Sequence, residues 1–352
     1  AGASRQQSAD SLFTLLYPEL RTAAAPRWLR AATRVTYNFA GATFAQEADD
    51  PTPSSGGLVQ YDVIAQNRRN VVFLATLVTP GNYGQPPAPL SYGVAVPGVG
   101  DFWFSPRVLA NAEDAANEDF IVARLPMTVE GVEYDVVRMQ SNTVTDAGSG
   151  EEVWAFDVDS GILVFYRQAL YRADGSQRSG TTASLVSQRR LRVPWRTGTV
   201  PEWVERGLDM EFTGTQVLGS GSSAVPLPMT STSRITRVGA LWSEHAQQVS
   251  LYGRDAGGSI SATGTMQLFG GYWLPPEAID ELEAGELLDR DPVTGIEIRV
   301  VQANRQQIVL ASAGDGHLTR LYYSTRNGRL VGIYQEQWTM AGTLYTTLEA
   351  VP

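Results

Sequence analysis

The chain reads as mainly β: two tandem duplicated antiparallel β-sheet domains, each with one short helix, preceded by an extended N-terminal arm. Three observations carry this reading. Apolar and polar residues alternate at period two, as at Val59, Tyr61 and Val63, which is the pattern of a half-buried strand. The alternating runs are rich in β-branched and aromatic residues and end in Gly, Asn and Asp, the signature of hairpins. Finally, four sequence blocks recur in one order.

The first block pairs PRWLRAATRVTY (26–37) with PEWVERGLDMEF (201–212), placing Pro26 and Trp28 on Pro201 and Trp203, and Val35 and Tyr37 on Met210 and Phe212. The second pairs GVGDFWFSPRVL (98–109) with LFGGYWLPPEAI (268–279), placing Gly100, Phe102, Trp103 and Pro106 on Gly270, Tyr272, Trp273 and Pro276. GVEYDVVR (131–138) matches GIEIRVVQ (295–302), and DVDSGILVFYRQ (157–168) matches STRNGRLVGIYQ (324–335). The offsets of 175, 170, 164 and 167 residues drift only as loop lengths would. Collinearity, more than any single match, argues for duplication.

In chain order, residues 1–25 form the arm, with a helix near Ser11–Tyr17 that stops at Pro18. Residues 26–196 form the first copy and 197–352 the second, joined through VPWRTGTVPEW, where Pro194 and Pro201 flank a short Gly/Thr linker. Each copy is long enough to enclose its own core and holds roughly ten strands at ordinary strand and turn lengths. A helix starts at Pro106, behind an N-cap Ser105. Its counterpart starts at Pro276, with acids in its first turn and Gly285 to end it. Turns are expected at Asp157–Gly161, Ala173–Gly175, Asp255–Gly258, Asp291–Gly295 and Thr325–Gly328, each with a glycine free to take positive φ.

Composition excludes several functions. Acids outnumber basic residues 37 to 27, for a formal charge of −10, a field that repels nucleic acid. Cysteine is absent, which removes disulfides, thiol catalysis and zinc–thiolate sites. Every basic residue is arginine, a mark of genome bias that also removes Schiff-base and P-loop lysine chemistry. No apolar run is long enough for a membrane span of the chain's own. The opening Ala1-Gly2-Ala3-Ser4 resembles the small residues beside a signal-peptidase cut, so an exported protein is expected.

The search for chemistry finds no assembled motif. His245 and His317 are the two histidines; each reads as a loop residue without the partners a metal or general base requires. Asp157-x-Asp159-x-Gly161 and Asp289-x-Asp291 have calcium-like spacing, but no acid follows where an EF-hand needs it, and the two do not correspond under the duplication; turn chemistry accounts for them. No Gly-x-Ser-x-Gly elbow exists, and Gly219–Ser223 belongs to a flexible stretch. Asp49/Asp50 and Glu151/Glu152 read as loop acids with nothing to make them face each other. Trp28/Trp203 and Trp103/Trp273 are expected to fill equivalent cores, a stacking platform being the alternative. Neither cofactor nor metal is expected.

The functional expectation is a non-catalytic, exported accessory subunit docked on the extracytoplasmic face of a membrane assembly (respiratory, photosynthetic or transport) through other protein subunits. Its expected docking residues are Leu12, Phe13, Leu16 and Tyr17 of the arm, Tyr83 of the Pro-rich loop 80–89, and Arg189, Arg190 and Arg192, which suit an acidic partner or lipid headgroups. The alternatives are a periplasmic carrier of lipid or another apolar ligand, if a curved sheet encloses a cavity, and a carboxylate-based hydrolase, if acids cluster in a cleft.

Overall fold

The computed structural model describes residues 12–351 except 45–51, 79–87, 118, 147, 219–223 and 340–341. The described residues form two ten-stranded antiparallel sheets of identical topology. The first contains β1 (Thr33–Thr43), β2 (Thr52–Gln66), β3 (Val71–Val78), β4 (Ala88–Ala95), β7 (Ala115–Ala116), β8 (Phe120–Val129), β9 (Val132–Thr145), β10 (Gly148–Asp157), β11 (Leu163–Arg172) and β12 (Gln177–Arg190). Its order is β4-β3-β2-β1-β12-β11-β10-β9-β8-β7, and the separate pair β5 (Val99–Gly100) and β6 (Trp103–Phe104) forms a small hairpin.

The second sheet repeats this with β13 (Asp209–Leu218), β14 (Val225–Val238), β15 (Trp242–Leu251), β16 (Arg254–Gly264), β17 (Leu287–Arg290), β18 (Glu297–Ala303), β19 (Gln307–Gly314), β20 (His317–Ser324), β21 (Leu330–Thr339) and β22 (Gly342–Ala350), in the order β16-β15-β14-β13-β22-β21-β20-β19-β18-β17. The helices start where the sequence places them: α1 (Pro106–Leu109) and α2 (Pro276–Glu281). α2 ends at Glu281, capped at Leu282 and short of the expected Gly285, whose N–H instead donates to the Val300 carbonyl at 2.7 Å. Ser105 precedes α1 but makes no side-chain cap.

The duplication is visible atom by atom. The indole Nε1 of Trp28 donates to the Ser160 carbonyl at 2.7 Å, and that of Trp203 donates to the Asn327 carbonyl at 2.7 Å. Trp103 bridges Ile162 as Trp273 bridges Arg329. Gly161 and Gly328 hold φ of 73° and 72°. A Cβ there would stand 2.0 Å from the Phe104 oxygen and 2.3 Å from the Leu274 oxygen, so the turn requires glycine twice over.

In the first copy, Phe73 on β3 and Phe156 on β10 lie five strand spacings apart, about 24 Å in a flat sheet. Trp103 nevertheless reaches Phe73 at 5.6 Å and its neighbour Phe104 reaches Phe156 at 5.3 Å. The sheet therefore curls around the hairpin, which serves as an aromatic plug; Phe102, Trp103 and Phe104 are fully buried.

The arm is part of this core. A helical turn over residues 12–16 leads into a 3₁₀ turn at Pro18–Arg21. Phe13 is 1% exposed and packs edge-on against Phe104, Trp154 and Phe156. Phe13 thus faces inward and corrects the expectation that it docks a partner: an aromatic ring gains more by burial in its own chain's core than by exposure.

The two copies pack face to face. Period two sends Val35, Tyr61 and Phe73 into the first core and Arg34, Gln60, Asp62 and Val72 out of its opposite face, so this stretch of β1–β3 is covered on both sides. A bulge at Ile64, between Val63 and Ala65, frees a carbonyl that accepts from the Met266 N–H of the second copy at 3.0 Å. Ile64, Ala65, Val72, Trp242 and Ala262 form the apolar centre of this interface. The linker joins the second copy early: Trp195 is buried in the second core and donates to the Thr265 carbonyl at 2.8 Å.

Candidate functional site

The interior of the first sheet changes character along its strands. On β10, Trp154 pairs with Met139 on β9 and Tyr166 on β11. One inward step on, Glu152 pairs with Ser141 and Gln168; a further step on, Gly150 pairs with Thr143 and Leu170. The next strands continue the ring with Thr181 opposite Gln168 and Gly41 opposite Thr181. One half of the curled sheet is therefore filled by aromatics, whereas the other intersperses small residues such as Ser141, Thr143 and Gly150 with Glu152, Gln168 and Leu170 and leaves space between its walls.

What remains is a cavity of about 580 Å³, well inside the usual range for small-molecule sites. Leu12 and Trp154 contribute apolar walls, with Ser141, Thr143, Glu152 and Gln168 among the polar ones and Arg178 also lining it. The Glu152 carboxylate is oriented by neutral donors: Gln168 Nε2 at 2.5 Å and the Tyr166 hydroxyl at 3.3 Å both donate to Oε1. Glu151 points to the other face of the strand, beside Arg167 at 3.6 Å. The pair expected in a loop sits on a strand, and alternation turns the two acids apart.

The expected docking residues scatter. Leu12 lines the cavity and Tyr17 packs on Phe104 at 5.6 Å, while Leu16 is 40% exposed. Tyr83, Asp49, Asp50 and Gly219–Ser223 lie outside the described residues. Arg189 is not free for a partner. It grips Asp289 with both arms of its guanidinium at 2.7 Å each and reaches Asp291 at 2.9 Å.

Arg34 joins the same network, bidentate to Asp62 at 2.7 Å and 3.1 Å from Asp291, and Gln60 donates to Asp291 at 3.0 Å. The acidic partner of Arg189 is thus the second copy. Burial opposes ionisation of Asp291, but hydrogen bonds from Arg189 and the Thr294 N–H, the Arg34 charge and the Val293 N–H outweigh it and hold the carboxyl well below the usual range. Its Oδ1 accepts from the N–H groups of Val293 and Thr294, which is the turn chemistry its spacing suggests. Asp157 does the same for the Ser160 N–H at 2.8 Å.

Both histidines are buried in strands, not placed in loops. His245 on β15 stacks on Tyr272 at 4.5 Å and contacts Ser243 Oγ through Nε2 at 2.8 Å, while Trp273 Nε1 donates to that oxygen at 2.8 Å. Its Nδ1 has no partner, so no acid orients the ring. Burial pushes His245 down to about 3 and lowers His317 as well. Register equates His245 with Phe73 of the first copy, since each pairs with the aliphatic residue just before the bulge, Ile235 or Val63. Among the described residues no group of His, Asp and Glu is arranged to hold a metal ion. Among them, too, no helix is long and apolar enough to cross a membrane. The carboxylates whose ionisation is displaced (Asp135, Asp174, Asp209, Asp291 and Glu297) are all displaced downward, the opposite of a general acid.

Fold and site together define a duplicated, curled antiparallel β protein with a polar-lined cavity in its first copy. No protein-family model matches the chain, and no curated protein matches it. Among solved structures, the chain is similar to a protein of unknown function of the DUF3598 family from Nostoc punctiforme PCC 73102, at 12% identity over 90% of this chain and 95% of that one, with a TM-score of 0.15.

Proposed function

We propose that the protein is a non-catalytic binding protein that holds a small amphipathic ligand inside its first copy. The observation that supports this is the cavity of about 580 Å³ between the aromatic plug and the mouth of the curled sheet. Trp154 and Leu12 offer apolar contact, and Glu152, held from one side by Tyr166 and Gln168, offers an acceptor to a hydroxyl or ammonium group. This is the carrier reading of the sequence, with a ligand more polar than a bare lipid chain.

The test is a titration with the neutral probe N-phenyl-1-naphthylamine, whose fluorescence rises in apolar surroundings. The expected outcome is one site per chain, abolished by Thr143→Trp, which fills the cavity. Equal binding by wild type and Thr143→Trp, or none by either, would contradict the reading. A second reading, the exported subunit docked on a membrane assembly, is favoured by Leu15 and Leu16, exposed at 73% and 40% on one helical turn. Leu15→Asp with Leu16→Asp would then release the chain from its membrane fraction and leave probe binding intact.

A further inference from the structure

A second cleft, of about 480 Å³, opens where the linker leaves the first sheet, with Ala32 and Met266 among its walls and Arg190, Arg192 and Arg196 lining it. The arginines come together where β12 ends at Arg190 and the chain runs on into the linker. Arg189 turns to the carboxylates of the second copy and Leu191 is buried, while Arg190, Arg192 and Arg196 are exposed and line the cleft. None of the three forms an ion pair with a described residue, although the chain carries a surplus of 10 negative charges. Three guanidinium groups lining one cleft give it a positive potential that favours an anion there.

We infer that this cleft binds a phosphate-bearing anion. Each guanidinium presents a planar fork of donors. A carboxylate brings two oxygens and a single charge, and Asp291 shows one joining two arginines; a terminal phosphate brings three oxygens and up to two charges, which suits three forks. The same chemistry is offered by a soluble phosphate ester and by a phosphomonoester lipid headgroup. The inference stands apart from the ligand cavity, which lies elsewhere in the first copy.

Calorimetric titration of the full chain with inorganic phosphate, with acetate as control, tests it, alongside co-sedimentation with phosphatidylcholine vesicles with and without phosphatidic acid. The comparison protein carries Arg190→Gln and Arg192→Gln, two exposed changes whose unchanged thermal transition verifies folding. Saturable phosphate binding, at least tenfold tighter than acetate and at least tenfold weaker in the variant, supports a soluble phosphate ester when vesicles are ignored. Sedimentation that needs both phosphatidic acid and the two arginines supports the headgroup. Absence of saturable binding to either form, binding unaffected by the substitutions, or acetate bound as well as phosphate would overturn it.

Discussion

Gly328 shows how a single residue fixes the Trp273–Leu274 segment of the second copy in place. Its φ of 72° and the 2.3 Å approach of the Leu274 oxygen to any added Cβ leave no room for a side chain. Gly328→Ala should cost about 2–4 kcal/mol, from left-handed backbone strain plus the displaced carbonyl, and chemical denaturation would read it. Its equivalence to Gly161 was legible from the recurring DVDSG and STRNG blocks. His245 was not legible. A polar residue next to Ser243 and Glu244 resembles a loop, and only the register with β14 shows that it occupies the position of Phe73.

That substitution predicts a pH dependence. The unfolded-state His245 takes up a proton near pH 6.5, while the buried ring does so only at about 3. Its contribution is intact above pH 6.5 and is lost progressively as pH falls toward 3, by up to about 1.4 kcal/mol per pH unit. His317, lowered in the same direction, adds to the slope. His245→Phe should flatten the stability profile between pH 6.5 and 4.5 without removing the part due to His317; an unchanged profile would refute the assignment.

At the scale of elements, the strands, most of their turns and the starts of both short helices follow from patterning, because period two and glycine placement are local properties. The turn expected at Asp255–Gly258 is a correction: those residues belong to β16, and the hairpin turns at Tyr252–Gly253, which hold φ of 53° and 69°. The curl of the sheet and the fate of the arm are not local. Phe13 in Ser11–Tyr17 has the sequence of an amphipathic docking helix, and only the facing rings of Phe104, Trp154 and Phe156 show that its apolar side is already covered. The cavity left a faint signal in Gly148-x-Gly150-x-Glu152-x-Trp154, where inward positions grow from nothing to an indole along β10. Read as adjacent loop acids, Glu151 and Glu152 concealed it.

At the scale of the whole molecule, the Arg34–Asp62–Arg189–Asp289–Asp291 network and the apolar patch around Trp242 tie the copies together. Removing one member of a buried ion network strands its partners and costs about 3–5 kcal/mol. Asp291→Ala should therefore convert a single calorimetric unfolding transition into two, one for each copy; an unaltered single transition would mean that the network does not couple them.

The central claim, that the half-empty interior of the first copy is a ligand site, is tested most directly by backbone amide chemical shifts recorded as N-phenyl-1-naphthylamine is added to saturation. The account predicts changes concentrated at Ser141–Thr145, Gly148–Trp154 and Gln168–Leu170, and their disappearance in Thr143→Trp. Changes centred on the second copy or on the face between the copies, or no changes at saturation, would contradict it.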